Sequence, residues 1–595
     1  MRVIEIRLLD GPNVYRLEPV VKVEVAVGRR RTFYGRRDPG RHALVHLGAR
    51  VPSAEWPDSV AALVDWARRL RSEHGEGGAG SAVHRSSDPG HWIATWPWTG
   101  AERARLISEA SIALVERNVS AAPRAQLTGS QARLLGRWRE RIGEASTEPP
   151  SWFRDADRTV PIVSISGTNG KSTTTRLITR ILLRAGRHVG TTTSDGILVD
   201  ERLLEAGDWT GPGGAATILA HADLDVAVLE TARGGIVLRG VGYESNDASV
   251  LTNVSSDHLD LQGIHTLPEL AEVKSTICRM TKPDGWVVLN ADDPLVLAMR
   301  RRTRARVALF TLDGDRSAPV RRHLARRGRA YLVRRGEIGE AEGRTWRPIA
   351  ALRDIPIALG GLARHNVANA LAAAGGARAL GATIDQVGDG LVDFRPSSDT
   401  SPGRLNVFRK NGRVVIVDFA HNEAGVNAVI DVAAGIAAGA AGRTAASRTA
   451  PITIIIGTAG DRPDDTLRGM GRIAARRADR VAIKETLHYL RGRTRESVVG
   501  ELLDGIVAGG GQRDEIPIYE SETEALRTEA IGGGPVDPAG APRVIVLLCH
   551  EDRPGVMQLL PQLGFQPVET TADLLELVPR LEDQPRRRPS RPRRS

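Results

Sequence analysis

The residues best suited to chemistry are Gly167-Thr168-Asn169-Gly170-Lys171-Ser172-Thr173, which stand between the short apolar run PIVSIS and the segment KSTTTRLITRILLRAG. A phosphate needs several backbone N–H groups converging on it, which a glycine-rich turn permits, and it gains from the positive end of the helix that follows. Lys171 would meet the terminal phosphates as a point charge, and the Ser172 hydroxyl could bind Mg²⁺. The spacing departs from GxxxxGK[ST], because Ile165 stands where the first glycine belongs. Two further candidates close strand-like runs. Glu230 ends DVAVLE and precedes Thr231-Ala232-Arg233-Gly234-Gly235, while Asp257-His258 follow ASVLTNV. An open α/β sheet binds ligands at the carboxyl ends of its strands, where a carboxylate can hold Mg²⁺ against nucleotide oxygens.

The elements that must position these residues are legible in the patterning. From Pro161 onward, strand-like runs at 225–230, 248–254 and 286–290 alternate with helical segments, which predicts a parallel sheet with helices on both faces. The same grammar returns in RVVIVDFA (413–420), ITIIIGTAG (452–460), RVAIKE (480–485) and RVIVLLC (543–549), predicting a smaller C-terminal α/β, Rossmann-like domain. Before the glycine loop, strand-like alternation at 4–8 and 20–27 and helical patterns near 59–71 and 101–117 predict a separate α+β unit. The expected organisation is an N-terminal domain over 1–150, a central nucleotide-binding domain over 158–398, a C-terminal domain over 403–580 and a disordered basic tail over 581–595. The Gly/Ser-rich GEGGAGSA (75–82) and the Ala/Gly-rich stretch 433–450 are expected to be surface loops.

A resemblance then emerges from motifs in order. GTNGKS, ETARGG, TNVSSDHLD, Lys274, NADD (290–293), RHNVANALAA (364–373), SPGR (401–404) and DFAHN (418–422) resemble the Mur ligase family. TTTSDGILVD (191–200), TGPGGA (210–215), GDRPDD (460–465), LRGR (490–493) and the N-terminal RLLDGPNVYRL (7–17) are similar to its cyanophycin-synthetase branch. That branch has an ATP-grasp domain ahead of its Mur-like half. Here the linker near 150 runs directly into the glycine loop, so the resemblance extends only to the Mur-like activity, attachment of arginine to an aspartate side chain.

The resemblance implies an ATP-dependent acid–amino-acid ligase acting through an acyl phosphate, with ATP and Mg²⁺ as cofactors. It implies that Lys171 and the loop amides hold the phosphates, that Ser172 and Glu230 bind one Mg²⁺, and that His258 with a carbamylated Lys274 binds a second. Arginine could not substitute for Lys274, since a guanidinium stays protonated. It further implies that His365, Asn366, Asn369, Asp418 and His421 face the nucleoside and that Arg404 reaches the γ-phosphate. The amino acid is expected near Asp461, Arg462, Glu485, Arg491 and Arg493. Thr486, Leu487 and His488 stand where that branch would have more acidic residues.

Composition narrows the classes. Only six of the 82 basic residues are lysine, an excess of arginine that reads as a coding signature. Of the formal charge of +11, six units are arginines between 586 and 594, so the remainder is nearly neutral and no nucleic-acid partner is expected. No apolar run is long enough to cross a membrane, and no secretory signal precedes the first strand. Two isolated cysteines, Cys278 and Cys549, fit a reducing cytoplasm. The partners expected are an amino acid and a carboxylate acceptor, and a homo-oligomer is compatible. Two alternatives stay open: a muramyl-peptide or folylpolyglutamate-type ligase, and a catalytically silent nucleotide-binding scaffold.

Overall fold

The computed structural model describes residues 1–27, 50–77, 80–123, 125–256, 259, 261–397, 400–441, 450–532, 543–570 and 573. Asp257, His258 and the tail 581–595 lie outside the described residues. The chain divides into two compact units. The first comprises Met1–Val254, Leu259–Phe310 and Gly375–Ala382, and the second Ser255–His258, Thr311–Ala374 and Thr383–Ser595.

In the first unit, the alternating RVIEIRLL and the buried run VVKVEVA form β1 (Arg2–Leu9) and β2 (Val20–Ala26). They join β3 (Ala82–Arg85) and β4 (His91–Pro97) in an antiparallel sheet of order β1-β2-β4-β3. Helices Asp58–Glu73 and Ala101–Glu116 occupy the two predicted helical stretches. Their Leu63, Trp66, Leu70, Ile107 and Leu114 share one core with Val21, Val23 and Val25. The loop after β1 docks on the next sheet: the Asp10 amide donates to the Arg239 carbonyl at 2.8 Å, and Arg279 Nη1 donates to the Val14 carbonyl at 2.8 Å.

The glycine loop belongs to a second set of strands in this unit: β5 (Ile162–Ser166), β6 (Val189–Thr192), β7 (Gly196–Val199), β8 (Arg202–Ala206), β9 (Val226–Glu230), β10 (Asn246–Leu251), β11 (Thr281–Asn290) and β12 (Arg306–Thr311). They run in the order β12-β11-β10-β5-β9-β6-β7-β8. The strands from β12 to β6 pair in parallel, and β6-β7-β8 is an antiparallel meander. β5 and β9 are buried at every residue, as expected for parallel strands covered on both faces, and this explains their continuous apolar runs.

The second unit begins with the antiparallel meander β13 (Arg329–Arg334), β14 (Glu337–Glu342) and β15 (Thr345–Ala351). Its main sheet contains β16 (Asn406–Lys410), β17 (Arg413–Asp418), β18 (Ile452–Ile456), β19 (Arg480–Lys484), β20 (Ile518–Tyr519), β21 (Arg543–Leu548) and β22 (Gln566–Pro567), in the order β20-β19-β18-β21-β17-β16-β22. The five from β20 to β17 are parallel, and β16 and β22 close the edge antiparallel.

One expectation is corrected here. The stretch 433–450 is not a loop throughout, because helix Glu423–Ala441 continues into it and buries Ala433, Ile436 and Ala437 in the core with Ile416, Ile454 and Val546. Alanine carries the lowest intrinsic cost in a helix, and Ile430, Ala433, Ile436 and Ala437 recur at helical spacing on one apolar face. Residues 442–449 lie outside the described residues. Among the described residues no helix is long and apolar enough to cross a membrane.

Candidate active site

The glycine loop leaves β5 at Ser166. Gly167 turns it with φ +151°, and a Cβ there would come 1.9 Å from Thr252 Oγ1, so only glycine fits. Gly170, with φ 83°, starts helix Lys171–Arg184 without a side-chain cap. The loop is braced by the residues that follow β10. The Thr168 amide donates to the Asn253 carbonyl at 2.8 Å and the Asn169 amide to Asn253 Oδ1 at 2.9 Å. Thr252 Oγ1 and Asn253 Nδ2 donate to the Asn169 carbonyl at 2.7 and 3.0 Å. The Thr168 and Asn169 amides therefore already have acceptors within the protein. Among the described residues none accepts from the amides of Gly170, Lys171, Ser172 and Thr173, which stand at the positive end of the helix.

Around this cradle stand the expected charged groups of the first unit. Lys171 Nζ donates to the Thr168 carbonyl at 3.0 Å, and Ser172 Oγ lies 3.2 Å from Ser194 Oγ. Glu230 ends β9 directly opposite Ile165 of β5 and is 3% exposed. Its place is held by the Thr231 amide on the Ile165 carbonyl and by Ser166 Oγ on the Thr231 carbonyl, both at 2.8 Å. Lys274 closes helix Leu267–Lys274, which is started by a Thr266/Glu269 capping box, and its buried Nζ donates to the Gly167 carbonyl at 2.6 Å. His258, expected beside Lys274, lies outside the described residues. The Ser172 hydroxyl and Glu230 carboxylate are hard oxygen donors of the kind Mg²⁺ takes, next to unbonded amides suited to phosphate, so these residues fit a nucleotide–metal pair.

The second unit holds the remaining candidates. His365, Asn366 and Asn369 lie in helix Arg364–Ala379. Burial lowers the His365 imidazole to about 4, with Asp431 opposing, so the ring is neutral near pH 7. Asn366 Nδ2 donates to the Ile357 carbonyl at 3.2 Å and its Oδ1 accepts from Asn369 Nδ2 at 3.1 Å, so this amide is already engaged. Asp418 ends β17 and accepts the Leu405 and Ala420 amides at 2.9 and 2.8 Å. Burial raises its carboxyl to about 6, against the lowering pull of Arg404 and these amides. The Arg404 guanidinium sits 4.5 Å from the Phe419 ring centre, and His421 lies against the same ring at 5.5 Å.

Beyond the ends of β18 and β19, Asp461 pairs with Arg462 at 3.1 Å, and Arg493 bridges to Asp464 at 2.8 Å and to the Arg462 carbonyl at 3.3 Å. Arg491, in the left-handed region at φ 52°, lies over the Tyr489 ring at 5.3 Å. Glu485 is buried and held by Arg495 Nε at 2.6 Å.

Residues 165–377 match the model of the Mur ligase middle domain. The chain is 38% identical over 367 residues to a cyanophycin synthetase of Crocosphaera subtropica, covering 62% of this chain and 40% of that one. It is 39% identical over 391 residues to a cyanophycin synthetase of Trichormus variabilis, covering 65% and 41%. The chain thus spans about two fifths of the length of these relatives. A folylpolyglutamate synthase of Mycobacterium tuberculosis, solved with ADP and AMPPCP, is 20% identical with a TM-score of 0.47, covering 69% of this chain and 92% of that one.

Within residues 165–377, the residues that sequence reasoning passed over are the braces, Thr252 and Asn253, and further along the chain Arg495, Glu522 and His550. Asn253 carried a signal, since it belongs to the TNVSSDH motif. Glu522 carried none, because SETEALR resembles any solvated helix start.

Proposed function

We propose that this chain is an ATP- and Mg²⁺-dependent ligase that joins a carboxylate acceptor to an amino acid. The observation that carries this is the set of four amides, Gly170 to Thr173, with no acceptor among the described residues, at a helix start flanked by Lys171, Ser172, Glu230 and Lys274 within the stretch that matches the Mur ligase middle domain. A carboxylate does not condense with an amine at neutral pH, because its oxygen is a poor leaving group. One acceptor oxygen attacks the γ-phosphorus of ATP, ADP leaves, and an acyl phosphate forms. The amine then attacks the carbonyl carbon, inorganic phosphate departs, and the nitrogen loses a proton.

The helix-start amides and Lys171 hold the phosphates in place while charge moves between oxygens. Ser172 and Glu230 would hold Mg²⁺, which neutralises the transferring phosphoryl group. Lys274, were its amine to bond CO₂ and release a proton, would supply a second acidic ligand for Mg²⁺ together with His258. His365, Asn366, Asn369, Asp418 and His421 address the nucleoside, the neutral His365 by hydrogen bonding rather than charge, and Arg404 addresses the γ-phosphate. Asp461, Arg462, Glu485, Arg491 and Arg493 receive the amino acid. The resemblance to cyanophycin synthetases supports arginine as that amino acid and an aspartate- or glutamate-containing acceptor.

The test is phosphate release from ATP with each of twenty amino acids, against β-aspartyl, polyglutamate and UDP-muramyl acceptors. Turnover that requires one amino acid together with a β-aspartyl acceptor is expected. Stimulation by a UDP-muramyl or polyglutamate acceptor would transfer the proposal to those ligases, and no stimulation by any pair would leave a nucleotide-binding scaffold.

A further inference from the structure

At the carboxyl ends of β19 and β21 lies a buried charged cluster that the chemistry above does not use. Lys484 Nζ donates to Glu522 Oε1 at 2.5 Å and lies 3.2 Å from His550 Nδ1. Both ion-pair side chains are at most 1% exposed. Glu522 also accepts the amides of His550, Glu551 and Asp552 at 2.6, 3.0 and 2.8 Å, and the Cys549 thiol at 3.0 Å. His550 Nε2 is 3.0 Å from the Ala420 carbonyl.

These contacts fix a direction. A carbonyl only accepts, so His550 Nε2 carries the proton, and an ammonium only donates, so His550 Nδ1 receives from Lys484. Burial and the neighbouring Lys484 cation hold the imidazole neutral, its pKa well below the usual value. The bonded Ala420 sits between Asp418 and His421, and its amide is the donor that Asp418 Oδ1 accepts. The His550 ring also lies 5.0 Å from the Phe419 ring, on which Arg404 rests.

A buried ion pair is a weak route to stability, because well-packed apolar residues of similar volume often do as well. Here the fold makes room for one. A Cβ on Gly457 would meet Lys484 Cε at 2.8 Å and the Lys484 carbonyl at 2.2 Å. A lysine threaded past a glycine toward one histidine is suited to placing that histidine.

We propose that Lys484 and His550 are positioning residues, a latch anchored on Glu522 that holds the Ala420 carbonyl and the Phe419 ring and thereby sets Asp418, His421 and Arg404 for the nucleotide. This rests on the proposed role of those three residues, so the test separates the two claims. Full-length Lys484→Met, His550→Phe and His550→Gln are compared with the unaltered chain by thermal unfolding, by amide hydrogen exchange over 416–424, and by calorimetric titration with a non-hydrolysable ATP analogue and Mg²⁺. Lys484→Met and His550→Phe should remain folded, lose protection around Ala420 and His421, and bind the analogue about tenfold more weakly, the equivalent of one to two hydrogen bonds. His550→Gln, which keeps a donor toward Ala420, should recover much of both. Exchange and affinity within twofold of the unaltered chain in the folded variants would overturn the latch, as would lost protection with unchanged affinity while Asp418→Asn does weaken binding. If Asp418→Asn itself leaves affinity unchanged, the nucleotide role of Asp418 fails, and unchanged or lost protection alone then decides the latch.

Discussion

Replacing Asn253 by alanine isolates the bracing of the glycine loop from its proposed phosphate contacts. The substitution leaves the backbone bond from the Thr168 amide to residue 253 in place and removes two side-chain bonds, at 2.9 Å from the Asn169 amide and at 3.0 Å to the Asn169 carbonyl. Each is worth about 1 kcal/mol net, and the Asn169 amide loses its side-chain acceptor, so about 1–3 kcal/mol of restraint is lost. Asn253 is one residue of a chain whose core is untouched by this change, so the loss falls on the loop. A loop that must be ordered by its ligand charges that cost to binding, and at about 1.4 kcal/mol per tenfold the ATP affinity falls about 5- to 140-fold. Titration calorimetry with a non-hydrolysable ATP analogue measures this, with thermal unfolding as the control for global damage. A folded Asn253→Ala variant whose Kd stays within twofold would refute the idea that this side chain holds the loop in its phosphate-ready form.

Three other outcomes follow from the geometry. Lys274→Arg should abolish ligation while leaving the chain folded, because a guanidinium cannot become a carbamate; amide formation near the unaltered rate, measured by product mass, would sink the proposed Mg²⁺ ligand. The Asp418 carboxyl is raised to about 6, so it is predominantly ionised, and accepts from ribose hydroxyls with the strength of a charged acceptor, only above that value. ATP affinity should therefore rise as pH increases through about 6, and Asp418→Asn should flatten that profile. Ile436, fully buried in the helix that replaces the expected loop, should cost about 2–5 kcal/mol when changed to alanine, read by chemical denaturation.

How much was legible depends on how far apart the partners lie. The glycine loop, Lys171 and Ser172 are contiguous, and their chemistry depends on local backbone freedom and a helix start, which neighbouring residues dictate. Glu230 was readable because it closes a wholly apolar strand run, which itself reports a buried parallel strand. The stretch 433–441 was misread because small residues are ambiguous. Alanine is at home in a low-complexity loop and in a helix, and only packing of Ile436 and Ala437 against β17, β18 and β21 residues selects the helix. The asparagines of RHNVANA were expected to face the nucleoside, and the structure adds what the sequence could not show, that the Asn366 amide also bonds the Ile357 carbonyl and Asn369.

Lys484 shows the boundary most clearly. It is one of only six lysines, and nothing near it in the chain explains an ammonium at the end of an apolar strand. Its partners are Glu522 and His550, 38 and 66 residues further on. The sequence alone determined the parallel α/β architecture, the glycine loop between strand and helix and the order of the motifs, since these follow from short-range periodicity and local backbone geometry. Tertiary structure decided which loop amides find no acceptor among the described residues, which carboxylates already hold an arginine and which buried charge is paired. Those outcomes depend on parallel strands bringing distant segments to one edge of a sheet, where desolvation makes every unpaired polar group costly.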